Sequence, residues 1–132
     1  MNVNTTVRDA QSPEQVVLIV EDDTDLRQTI QWTLEDEGLI VETAADGQEA
    51  LNRAARRKPT LVVLDMGLPI IDGNGVAAGL QASYGNSVSI LTMTADGRAA
   101  EKAKRIGAIG YISKPFDLDA LITAVKQALG IQ

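Results

Sequence analysis

The sequence predicts an α/β protein: a doubly wound, five-stranded parallel sheet flanked by five helices. Three observations carry this. Five short apolar runs rich in valine, isoleucine and leucine recur along the chain. The segments between them place apolar residues at helical spacing. The two kinds alternate without exception. Strands buried on both faces read as near-continuous apolar runs. Strict β–α alternation builds a parallel sheet through right-handed crossovers. With five strands the expected order is 2-1-3-4-5, the flavodoxin-like arrangement.

Each element can be justified in turn. The first strand is the run 16–20. A helix follows with Leu26, Ile30 and Leu34 every four residues, and Gly38 stops it. The second strand is 39–41. The next helix contains Ala50 and Leu51 and runs to Arg57, with Pro59 beyond it. The third strand is 61–64. Val76 and Leu80 mark a third helix, although Gly75 and Gly79 each cost it about 1 kcal/mol against alanine. The fourth strand is 88–91, followed by a helix through Ala99, Ala100 and Ala103. The fifth strand is 109–112. Asp117 then supplies an N-cap side chain for a last helix carrying Leu118, Leu121, Ile122, Val125 and Leu129. Residues 1–13 are polar and read as a flexible extension, so a single domain is expected over residues 14–132.

Composition narrows the chemistry. The 132 residues include no cysteine and no histidine. Thiol nucleophiles, imidazole bases, Ser-His-Asp triads and thiolate or imidazole metal sites are therefore excluded within this chain. A net charge of -6 argues against a nucleic-acid footprint. No apolar run approaches the roughly 20 residues needed to span a bilayer, and no signal peptide is visible. A cytoplasmic location, with no membrane contact, is the expectation. Carboxylates, hydroxyls, lysine and backbone remain for function.

In doubly wound folds ligands bind beyond the carboxyl ends of the strands. The first strand is followed by Glu21, Asp22 and Asp23, the third by Asp65, the fourth by Thr94 and the fifth by Lys114-Pro115. Singly these are ordinary residues: a cap, a strand threonine, a solvated lysine. Jointly they bring several acids, one hydroxyl and one ammonium to one edge. Clustered carboxylates repel unless a cation neutralises them. Magnesium, a hard ion that takes oxygen ligands and often a phosphate oxygen, suits the task. Asp65 is then placed to accept a phosphoryl group, with Thr94 and Lys114 binding its oxygens.

The stretches LIVEDD (18–23), DGQEAL (46–51), LVVLDMGLPIIDG (61–73), LTMTA (91–95) and GAIGYISKPF (107–116) resemble the receiver domain of two-component response regulators, a CheY-like fold. The resemblance runs from about Gln15 to the C-terminus and suits a single-domain regulator. It implies Glu21 and Asp22 as the acidic pair, with Asp23 behind them. It also implies Asp65 as phosphoacceptor, Thr94 as switch hydroxyl, Tyr111 as switch aromatic and Lys114 as the phosphate-pairing lysine. Mg2+ would be held by Glu21, Asp22, Asp65 and the Gly67 carbonyl. The Lys114-Pro115 bond would be cis. The phosphoryl donor would be a phosphohistidine on a sensor histidine kinase or phosphotransfer protein. That partner would dock on Asp25, Thr29 and Trp32 of the first helix, and phosphorylation would change the surface read by a downstream protein. Such a domain is not an enzyme beyond self-phosphorylation and slow self-dephosphorylation. Gly67 and Asp96, each two residues past a site residue, would flank the water that ends the signal.

Three other readings fit these residues less well. Residues 73–78 fit a loose G-x-G-x-x-A dinucleotide pattern, but residues 66–72, with Pro69, intervene where a tight turn is required. A phosphatase resembling the haloacid dehalogenases would use an aspartyl-phosphate too. It needs an acid two residues after the nucleophile, where this chain has Gly67. A receiver-like binding module that is never phosphorylated would not need the full set of acids, Thr94 and Lys114.

Overall fold

The expected order of elements is the order observed in the computed structural model, which describes residues 14–95 and 97–131. The extension expected over residues 1–13 and Asp96 lie outside the described residues. The strands are β1 (Val16–Val20), β2 (Ile40–Ala44), β3 (Leu61–Asp65), β4 (Ser89–Thr94) and β5 (Gly110–Ser113). The helices are α1 (Thr24–Asp36), α2 (Gly47–Arg56), α3 (Gly73–Tyr84), α4 (Ala99–Arg105) and α5 (Leu118–Leu129). All strand pairs are parallel, in the order β2-β1-β3-β4-β5.

Alternation of side chains along the strands divides the interior in two. Leu18 and Val20 of β1 and Val62 and Leu64 of β3 face Ala50, Ala54, Val76, Ala77 and Leu80 of α2 and α3. Val17, Ile19, Leu61 and Val63 face Ile30 and Leu34 of α1 and Leu121 and Val125 of α5. The central strands β1 and β3 are buried throughout. The edge strands depart from the expectation of two-sided burial: β2 and β5 are partly exposed, having a neighbour on one side only.

Among the described residues, aspartates set four of the five helix starts. Asp23, Asp46, Asp72 and Asp117 each accept a hydrogen bond from a first-turn amide, those of Leu26, Glu49, Gly75 and Ala120. The third helix forms despite its glycines. A Cβ at Gly79 would sit 2.6 Å from Leu51 Cδ2, and one at Gly75 would sit 2.6 Å from Ile71 Cγ2. The glycines lower helix propensity but let α3 approach its neighbours closely, and packing outweighs propensity.

Candidate functional site

Strand register assembles the site. Val20 pairs with Leu64, so the residues that follow them, Glu21 and Asp65, emerge side by side. Asp65 in turn pairs with Met93, and Thr94 pairs with Ser113, so Thr94 and Lys114 leave the same edge. Backbone bonds hold this edge together. The Glu21 amide donates to the Ala44 carbonyl at 3.1 Å, and the Lys114 amide to the Thr94 carbonyl at 2.8 Å. The Lys114-Pro115 bond is cis.

Carboxylate oxygens of Glu21, Asp22 and Asp65 lie within 4.8 Å of one another. Their surroundings differ. Glu21 is 1% exposed and Asp65 7%, whereas Asp22 is open to solvent. The Lys114 ammonium donates to Glu21 Oε1 at 2.6 Å and to Asp65 Oδ2 at 3.4 Å. The Asp23 amide donates to Glu21 Oε2 at 3.1 Å, and the Gly67 amide to Asp65 Oδ1 at 3.0 Å. Asp23 therefore both caps α1 and orients Glu21. Burial pushes the Glu21 carboxyl above its ordinary pKa, aided by the Asp65 charge and opposed by the hydrogen bonds from Lys114 and Asp23. Burial pulls the Lys114 ammonium down, but its bond to Glu21 and the charges of Asp65 and Glu21 outweigh that and leave it raised.

A cavity of about 360 Å³ opens over Asp65, lined by Asp65, Gly67, Thr94, Ala95, Lys102 and Lys114. Thr94 is buried in its wall, 4% exposed. Beside it lies a largely apolar cleft of about 460 Å³ between Leu26 of α1 and the Lys114-Pro115-Phe116 turn. Asp25, Thr29 and Trp32 are exposed on α1, on the side away from buried Ile30 and Leu34, with Trp32 60% open. Tyr111, on edge strand β5, is half-exposed. Two basic residues escaped sequence reasoning. The Arg27 guanidinium donates to the Glu21 carbonyl at 2.9 Å and the Asp22 carbonyl at 3.4 Å, bracing the acidic loop. Lys102 lines the Asp65 cavity from α4. Neither stands in a distinctive motif, because basic residues on helices ordinarily face solvent.

The sequence profile of the response regulator receiver domain matches residues 17–126. The chain belongs to this family. It is 36% identical over 126 residues to the transcriptional regulatory protein PdtaR of Mycobacterium tuberculosis, covering 95% of this chain and 61% of that protein. It is also 36% identical over 115 residues to the transcriptional regulatory protein PrrA of Mycobacterium bovis, covering 86% of this chain and 49% of PrrA. The chain thus spans about half to three-fifths of the length of these relatives. Its fold matches the chemotaxis protein CheY4 of Vibrio cholerae with a TM-score of 0.80 at 30% identity, over 88% of this chain and 99% of that one. The receiver domain of NtrX from Brucella abortus matches equally well, with a TM-score of 0.80 at 32% identity, over 88% of this chain and 99% of that one. Among the described residues no helix is long and apolar enough to cross a membrane.

Proposed function

We propose that this receiver takes a phosphoryl group from a partner's phosphohistidine onto Asp65, with Mg2+, and that the charge so placed switches its partner-binding surface. The convergence of Glu21, Asp22, Asp65, Thr94 and Lys114 on one cavity carries the reading. An aspartate-dependent phosphatase has less in its favour, because Gly67 offers no side chain to move a proton. The intact acids, Thr94 and Lys114 weigh against a module that is never phosphorylated.

The donor set suits Mg2+: three carboxylates with ligand atoms within 4.8 Å, all hard oxygen donors, and one ammonium between them that cannot balance their charge alone. Glu21, Asp22, Asp65 and the Gly67 carbonyl would hold the ion. When bound it would neutralise the acids and screen the oxygens of the transferring phosphoryl group. Asp65 attacks phosphorus through a carboxylate oxygen, and the bond to the leaving imidazole breaks with its electron pair. Lys114 holds Asp65 in place through its 3.4 Å contact. Thr94 donates to one phosphoryl oxygen, and that hydroxyl's movement opens space for Tyr111, a two-state element biased by one charge-assisted hydrogen bond. The chain has no histidine, so the phosphohistidine belongs to a sensor kinase or phosphotransfer protein. Trp32, Asp25 and Thr29, with the neighbouring apolar cleft at Leu26, are the docking surface. A downstream protein would read the switched surface.

Incubation with acetyl phosphate and Mg2+ should give one phosphate adduct by mass spectrometry, lost in Asp65→Asn and on chelation. An adduct that survives Asp65→Asn would overturn the assignment.

A further inference from the structure

The inference rests on phosphorylation at Asp65 and deepens it. Charge at the site does not balance once the phosphoryl group has arrived. Glu21, Asp22 and Asp65 are three acids facing one ammonium, and a divalent ion would bring that group to neutrality. Converting a carboxylate to an acyl phosphate replaces one negative charge by close to two. One positive charge is then missing. Lys114 is poorly placed to supply more, because it lies closer to Glu21 at 2.6 Å than to Asp65 at 3.4 Å.

A second ammonium borders the same cavity. Lys102 sits one turn into α4, whose Ala99 and Ala103 are buried against the sheet. Being next to Ala103 and three residues from Ala99, it flanks that buried stripe rather than opposing it. It is half-buried and lines the acceptor cavity together with Asp65, Gly67, Thr94 and Lys114. Lys104, on the same helix, is exposed and is not among the lining residues.

We propose that Lys102 is a second phosphoryl-binding cation, which pairs with an oxygen of the phosphoryl group during transfer and in phospho-Asp65. Lys102 already interacts with a neighbour, so phosphorylation makes it share or exchange that contact. In transfer from acetyl phosphate, a bond forms from an Asp65 carboxylate oxygen to phosphorus. The phosphorus–oxygen bond to acetate breaks and acetate leaves with the electron pair. Lys102 stays protonated throughout and moves no proton. Its contribution is electrostatic, at the oxygens where charge accumulates.

The test compares wild type, Lys102→Ala, Lys102→Arg and Lys104→Ala with Mg2+. It reads the rate of phosphorylation by acetyl phosphate and the affinity for beryllium fluoride, a non-covalent phosphoryl mimic followed by 19F NMR. Loss of a charge-assisted contact at a half-exposed lysine should lower both about five- to tenfold in Lys102→Ala. Lys102→Arg should recover most of the loss, Lys104→Ala should match wild type, and added salt should narrow the gap. Wild-type behaviour in Lys102→Ala, or a loss that arginine does not restore, would overturn the role of Lys102 while leaving Asp65 as acceptor. No adduct in wild type would instead bring down the phosphorylation reading itself.

Discussion

Removing the charge of Lys114 tests the electrostatics of the site without any partner. Its ammonium holds Glu21 at 2.6 Å and Asp65 at 3.4 Å, and the Glu21 side chain is 1% exposed. In Lys114→Met the apolar stem is kept, but Glu21 retains only the Asp23 amide bond. Breaking a buried pair from one side costs about 3–5 kcal/mol. The Lys114 side chain is 20% exposed, so the lower end applies, about 3 kcal/mol in metal-free buffer at neutral pH. For a chain of this size that is a drop of roughly 10 °C in Tm. The pH dependence has a definite sign. Burial already raises the Glu21 pKa above its ordinary 4.5, and loss of Lys114 raises it further. The folded variant then binds a proton that the unfolded chain has released, so its stability falls as pH rises through the folded pKa. The deficit should therefore be full at neutral pH and shrink toward acid. Mg2+ should narrow it too, because the ion supplies the missing positive charge; at one hundred times Kd any ligand of the folded state adds about 2.7 kcal/mol. Thermal melts of both proteins across pH, with EDTA or Mg2+, measure all of this. A variant that melts with wild type in EDTA at neutral pH would refute the reasoning, as would a deficit indifferent to both pH and Mg2+.

Three further outcomes are expected. Trp32→Ala should slow phosphotransfer from the cognate phosphohistidine protein and leave labelling by acetyl phosphate unchanged; equal slowing with both donors would refute docking at this exposed side chain. Thr94→Ala should accept phosphate yet lose the conformational response, so amide chemical-shift changes on phosphorylation that match wild type would break the proposed coupling from Thr94 to Tyr111. Gly67→Asn should fit, since the nearest atom to a Cβ there is Asp65 Oδ1 at an ordinary 3.7 Å. An amide side chain in that place should change the dephosphorylation rate measurably, about tenfold for each 1.4 kcal/mol of altered water positioning. Identical hydrolysis in wild type, Gly67→Ala and Gly67→Asn at saturating Mg2+ would mean that Gly67 only shapes the metal loop.

The sequence by itself determined the order of elements and the residues delivered to one edge of the sheet. Buried parallel strands must be apolar, so runs such as 16–20 and 61–64 stand out, and any polar residue directly after them, such as Glu21 or Asp65, is conspicuous. Asp117 as a cap followed from its place just before an apolar helical pattern, because capping is a local rule. Tertiary structure decided what depends on contacts between distant segments. Propensity counted Gly75 and Gly79 against the third helix, whereas close approach to Ile71 and Leu51 makes the glycines the residues that fit. Exposure of β2 and β5 depended on their places at the sheet edges, which no single strand encodes. The sequence put Lys114 with the acids, but only the register and the folded turn revealed that it lies nearer Glu21 than Asp65. Lys102 and Arg27 belong to the same class: a lysine or arginine on a helix carries no local mark of function, and its role follows from which cavity or carbonyl the fold sets against it.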